Sequence, residues 1–161
     1  EAAFVPYNDI EALKSAATAD TGAVILEPVQ GEAGVYVADR EFLRAARQIC
    51  DDRNALLIFD EVQTGFGRTG KWFGKDHSGV RPDIMTLAKA MAGGLPIGAM
   101  LASESVAEAL SRKGRRGSSG SGLMKSAASR PGSPLSRVLT NSMPFPACTP
   151  FERSISPSLP L

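Results

Sequence analysis

The sequence predicts an α/β fold, a mainly parallel sheet with flanking helices, over residues 1–110, and a different kind of chain over 111–161. Helical and strand signals alternate through the first region. Its strand candidates are continuous apolar runs, as strands covered on both faces require. Composition then changes at Ser111. Residues 1–110 carry 16 acidic and 10 basic groups and residues 111–161 carry 1 and 8, so a net charge of +1 conceals parts of −6 and +7.

The elements follow in order. Asn8, with Glu11 three residues on, forms a variant of the capping box, and Ile10, Leu13 and Ala17 recur behind it at helical spacing. Ala23 to Leu26 is a compact apolar run closed by Glu27-Pro28, which predicts a buried strand running into a loop. Asp39 stands where an N-cap belongs, ahead of Phe42, Leu43, Ala46 and Ile49 on one helical face. The next buried strand, Ala55 to Phe59, stops at Asp60. Weaker strand signals at Pro82 to Leu87 and Ile97 to Ala102 flank a Gly93-Gly94 turn, and Ser103 is placed to cap a helix through Leu110. In sheets of this class ligands bind beyond the carboxyl ends of the strands, where Glu27 and Asp60 fall.

Residues 111–161 hold 12 Ser, 7 Pro and 5 Gly and follow no period of 2 or 3.6. Such a chain buries too little apolar surface to offset its ordering entropy, so disorder is expected. The charge of this tail admits a nucleic-acid or acidic-lipid contact, but that is the minor reading, and neither nucleic acid nor membrane is expected as a partner. Glu1 to Tyr7 has no basic leader, and no window approaches the roughly 18 apolar residues of a membrane span. A soluble cytoplasmic protein is the expectation. Cys50 and Cys148 lie far apart without ligand-like spacing, so neither a disulfide framework nor a metal site is expected. His77 is a lone histidine in a polar stretch and receives no role.

Two residues draw attention for chemistry. Asp60 ends an apolar strand, where a partly desolvated carboxylate needs a cation or a strong donor. Alone, it reads more readily as a helix cap or a structural ion pair than as a catalytic group. Lys89 sits among apolar and small residues in Thr86-Leu87-Ala88-Lys89-Ala90-Met91-Ala92. Desolvation there would favour the neutral amine that Schiff-base chemistry needs, and an exposed lysine with a packed stem is the plain alternative. An acid at a strand end followed some thirty residues later by such a lysine is what a pyridoxal enzyme requires: the acid keeps the pyridine nitrogen protonated and the lysine holds the aldehyde.

Three longer motifs carry more weight. Glu27-Pro28-Val29-Gln30-Gly31-Glu32-Ala33-Gly34, then Asp60-Glu61-Val62-Gln63-Thr64-Gly65-Phe66-Gly67-Arg68-Thr69-Gly70, then Lys89 with Gly93-Gly94-Leu95-Pro96-Ile97-Gly98-Ala99 follow one another in the chain. Together they resemble the successive signatures of class-III pyridoxal-phosphate-dependent aminotransferases, in the acetylornithine/ornithine group. The resemblance runs from about Phe4 to Leu110 and implies part of the large domain of a fold-type-I enzyme. It implies pyridoxal 5'-phosphate as cofactor, Lys89 as the lysine that binds its aldehyde, and Asp60 as the partner of its ring nitrogen. Val62 would pack on the ring, Gln63 would bond the phenolic oxygen, and Glu32 would act on the substrate side by engaging an arginine. Glu27 would support the site or serve the fold alone. Arg68 and Thr69 would order the loop after Asp60.

The same resemblance implies an amino-acid donor, N-acetylornithine or ornithine, a 2-oxo-acid acceptor, 2-oxoglutarate, and a homodimer in the full-length family. A 4-aminobutyrate or other ω-amino-acid aminotransferase is the neighbouring alternative, and a non-catalytic remnant that binds a full-length subunit is the alternative from another class. Family members are longer, with a phosphate-holding loop before the matching region and a glycine-rich stretch and small domain after it. The tail from Ser111 resembles neither, so an out-of-frame origin is expected for it, and little transaminase activity is expected of the chain alone.

Overall fold

The computed structural model describes residues 2–113 and 137–140. In chain order the elements are β1 (Ala2–Phe4), α1 (Ile10–Ala16), β2 (Thr21–Leu26), β3 (Val29–Gln30), β4 (Tyr36–Val37), α2 (Arg40–Arg53), β5 (Leu56–Asp60), β6 (Ile84–Leu87), β7 (Ala99–Ala102), α3 (Glu104–Lys113) and β8 (Arg137–Thr140). Single 3-10 turns occupy Gly74–His77 and Lys89–Ala92. Six strands form one sheet in the order β1-β8-β2-β5-β6-β7, parallel throughout except for the β6/β7 pair. The mainly parallel α/β architecture is the one the apolar runs predict.

The structure departs from those expectations in four places. Helix α1 is capped by Asp9, whose Oδ1 accepts the Ala12 N–H at 2.8 Å, and not by Asn8. Asn8 is drawn off by distant partners: its Nδ2 donates to the Val37 carbonyl at 3.0 Å and its Oδ1 accepts the Asp39 N–H at 2.9 Å. Asp39 is the N-cap residue of α2, as its position predicts, but its side chain makes no cap bond. Val29–Gln30 and Tyr36–Val37 pair as a small antiparallel ribbon where a loop is expected. Two features also lie beyond the 110/111 boundary: α3 continues to Lys113, and Arg137–Thr140 inserts between β1 and β2. Val138-Leu139 is a short apolar pair within the polar tail, suited to a covered strand. The rest of the tail expected to be disordered, with Cys148, lies outside the described residues.

Alternation along the strands sends neighbouring side chains to opposite faces of the sheet. On one face, Val24, Leu26, Leu57, Phe59 and Met85 pack against Leu13 of α1 and Phe42, Leu43, Ala46 and Cys50 of α2. Cys50 is fully buried, and burial pushes its thiol up to about 12, so it acts as a small apolar filler. Arg47 of α2 reaches the strand ends: Asp83 Oδ2 accepts from Arg47 at 2.9 Å and from the Leu57 N–H at 2.8 Å. On the other face the cluster is smaller, with Ala23, Leu56, Ile58 and Ile84 under Val106 of α3.

The pairing register decides what stands at the carboxyl edge. Leu26 lies beside Phe59, and Asp60 lies beside Thr86. Glu27, the residue after Leu26, therefore falls in one row with Asp60 and Thr86 across three parallel neighbours, on the lightly covered face. The β6 chain then turns at Leu87 and Ala88 into the 3-10 turn that opens with Lys89.

Candidate active site

At this edge the structure brings Glu27, Glu32, Asp60, Gln63 and Lys89 into one neighbourhood. The Lys89 Nζ lies 3.5 Å from Glu32 Oε1, and the Gln63 Nε2 donates to the same oxygen. Gly31 brings this about: a Cβ there would meet the Gln63 side chain at 3.2 Å, so its absence lets the 27–32 loop close over Gln63. Asp60 is half-buried. Its Oδ1 accepts the Val62 N–H at 3.0 Å, and its Oδ2 takes no hydrogen bond among the described residues.

Glu27 responds to the charges around it. Burial raises its carboxyl above the usual range, the Gly31 N–H at 3.4 Å opposes that rise, Asp60 and Glu32 add to it, and Lys89 opposes it. Asp60, Glu32 and Lys89 thus each lie close enough to act on Glu27. The Tyr7 hydroxyl donates to the Glu27 carbonyl at 2.7 Å and fixes the start of the loop, and burial, then the Glu27 and Asp39 charges, raise the Tyr7 pKa.

Lys89 differs from the desolvated setting its neighbours in sequence suggest. Its side chain is 52% exposed among the described residues. Its backbone is left-handed, with φ at +45°, a conformation that costs a side-chain-bearing residue roughly 1 kcal/mol. Such outliers cluster at functional sites. Val62 and Gln63 are half-buried and follow Asp60 directly, so Val62, by its N–H, is tied to the acid itself. Among the described residues no group of three or more metal-binding side chains exists, and no helix is long and apolar enough to cross a membrane.

Comparison with known proteins decides the family. A model of the family described as aminotransferase class-III matches residues 2–129, past the Leu110 limit of the motifs. The chain belongs to the class-III aminotransferases. It is 60% identical over 108 residues to the acetylornithine aminotransferase of Methanocaldococcus jannaschii, covering 67% of this chain and 27% of that protein. It is 58% identical over 106 residues to the acetylornithine aminotransferase of Pseudomonas putida, covering 66% of this chain and 26% of that protein. The chain thus spans about a quarter of the length of these relatives. Among solved structures, the N-acetylornithine aminotransferase from Stenotrophomonas maltophilia matches with a TM-score of 0.64 and 50% identity over 66% of this chain and 29% of that one. The (S)-enantioselective omega-transaminase from Thermomicrobium roseum matches with a TM-score of 0.62 and 38% identity over 69% of this chain and 26% of that one. The described sheet is part of the large domain of the fold-type-I class.

Within this class-III frame, two polar residues stand out that the sequence reading passed over. Thr86 Oγ1 is buried without a hydrogen-bond partner among the described residues, in the row of Asp60. Glu61, next to Asp60, is 0% exposed. Period-2 alternation after Asp60 would have sent Glu61 to the opposite side; of its carboxylate partners the Thr64 hydroxyl is near in sequence, but the Gly74 and Lys75 amides lie thirteen and fourteen residues on and leave no local signal.

The residues present fit the family's cofactor. A carboxylate with a free oxygen, an orphaned buried hydroxyl in its row and a primary amine at the same edge form a donor set suited to a ring bearing a nitrogen, an aldehyde and a phenolic oxygen.

Proposed function

We propose that this chain supplies the cofactor-binding core of an aminotransferase that moves an amino group from N-acetylornithine or ornithine to 2-oxoglutarate. The observation that carries the reading is the gathering of Lys89, Glu32, Gln63 and Asp60 at the carboxyl edge, with the amine 3.5 Å from Glu32. Pyridoxal 5'-phosphate, when bound, supplies an electron-accepting ring. Lys89 would hold the aldehyde through its amine and would then carry the proton. Asp60 would meet the ring nitrogen and keep a proton there. Val62 would pack on the ring, and Gln63 would donate to the phenolic oxygen. Glu32 is the substrate-side acid, and its contacts with both Lys89 and Gln63 link substrate entry to these groups.

The names borne by the relatives favour acetylornithine as donor, and the likeness to an omega-transaminase supports an ω-amino-acid donor as the second reading. A cytoplasmic location and, for the full-length family, a homodimer go with this reading; in this chain residues 1–110 are the cofactor-binding part and 111–161 a distinct tail. Turnover by this chain alone is expected to be low, because Leu95, Ile97 and Leu101 stand exposed, apolar surface that favours association over a stable monomer.

Adding pyridoxal 5'-phosphate, reducing with borohydride and mapping peptides tests the reading. A reduced adduct on Lys89, lost in Lys89→Ala, is the expected result. An unmodified Lys89 supports a non-catalytic remnant that binds a full-length subunit instead.

A further inference from the structure

We infer that Glu61 is a positioning residue: its buried carboxylate fastens the loop 64–75 to the sheet edge and thereby holds Asp60 and Gln63 in place. The inference rests on the roles proposed above for those two residues.

Every polar atom of Glu61 is engaged. Its N–H donates to the Thr86 carbonyl at 3.0 Å, which joins the end of β5 to β6 at the row that holds Asp60. Its own carbonyl accepts the Gly65 N–H at 2.9 Å. Oε1 accepts the Lys75 N–H at 2.8 Å, and Oε2 accepts the Gly74 N–H at 2.7 Å and the Thr64 hydroxyl. No ion pair reaches it among the described residues. A buried carboxylate satisfied by donors of one loop is costly to expose and costly to move, so it orders that loop.

The loop is shaped to this carboxylate. A Cβ on Gly74 would meet Glu61 Oε2 at 3.0 Å and Pro28 at 3.1 Å, and a Cβ on Gly65 would meet the Glu61 carbonyl at 2.9 Å. Gly65 is therefore required by close approach, and a side chain at Gly74 would press on the carboxylate and on Pro28. Glu61 lies between Asp60 and the Val62-Gln63 pair, and the Val62 N–H bonds Asp60 Oδ1. Releasing the carboxylate frees the backbone on which three proposed cofactor contacts stand.

Amide hydrogen exchange on the full chain, without cofactor, tests this, with Glu61→Gln as the main variant and Thr64→Val as a milder one. In Glu61→Gln the Gly74 and Lys75 amides should exchange faster by about tenfold or more, as loss of a charge-assisted bond implies. The Val62 amide should follow them, while Ile58 in β5 keeps its protection. Thr64→Val should show the same pattern at smaller size. If Val62 is unchanged while Gly74 is released, or if Ile58 loses protection in both variants, the inference is overturned: the carboxylate then serves the loop alone or the core alone. Borohydride trapping separates this from the reading it rests on. With no adduct on Lys89 in the parent chain the cofactor reading fails and exchange alone decides the anchoring; with an adduct, equal yields in parent and Glu61→Gln also overturn it.

Discussion

On one face of the sheet, α1 and α2 cover Val24, Leu26, Leu57, Phe59 and Met85 with a continuous set of aliphatic and aromatic side chains. On the other, α3 sets Val106 over Ala23, Leu56, Ile58 and Ile84, and the carboxyl edge carries the row of Glu27, Asp60 and Thr86. Neighbouring residues of one strand thus serve different ends. The filled face supplies the apolar burial that stabilises the fold, and the lightly covered face leaves polar groups where a ligand can reach them.

Substituting neighbours on opposite faces tests that division. Phe59→Ala should cost about 3–5 kcal/mol in urea denaturation, whereas Ile58→Ala should fall near the lower end for aliphatic truncations, about 2 kcal/mol, because fewer groups pack against it. Equal costs would mean the two faces are equally packed.

The tie between α2 and the strand ends comes next in size. Asp83→Ala removes the acceptor of both Arg47 and the Leu57 N–H, and about 1–3 kcal/mol should be lost. A change within 0.5 kcal/mol, roughly the noise of surface sites, would show that water replaces the carboxylate there.

The helices of the filled face allow a finer comparison. Asp9→Ala should cost about 1 kcal/mol, since Asp9 caps α1, and Asp39→Ala only a few tenths, since its side chain makes no cap bond. Thermal melts of the two variants should differ accordingly, and the reverse order would contradict the cap assignment.

The smallest effect belongs to the open face. The Glu27 carboxyl is raised in the folded state, chiefly by burial, so the native chain holds that proton more tightly than the unfolded chain. Stability contributed by this group is therefore present below the ordinary glutamate value, about 4.3, and declines as pH climbs through the raised value. Glu27→Gln should flatten that decline in a denaturation series across pH 3–8, a range of about five units that spans the window. An unchanged slope would mean Glu27 is fully solvated.

Much of this architecture was legible wherever one element buries one continuous apolar run. Ala23 to Leu26 and Ala55 to Phe59 read as covered strands because they are, and Phe42, Leu43 and Ala46 mark the packed stripe of α2. The ribbon of Val29–Gln30 with Tyr36–Val37 was not legible, since two-residue strands have no period and Tyr36 and Val37 are exposed. The choice of Asp9 over Asn8 as cap was equally hidden, because Val37 and Asp39, some thirty residues away, take Asn8. β7 pairs antiparallel with β6, a direction that the apolar runs on either side of the turn do not record. In the site, motif spacing pointed to Asp60 and Lys89, but the burial of Glu61 depends on Gly74 and Lys75 folding back, and composition does not record that.

The left-handed backbone at Lys89 sets local comfort against usefulness. Glycine would adopt that geometry without penalty, and asparagine with little. A lysine there keeps its chain in a conformation that its own Cβ opposes. The residue suited to the bend is not the one suited to the proposed chemistry.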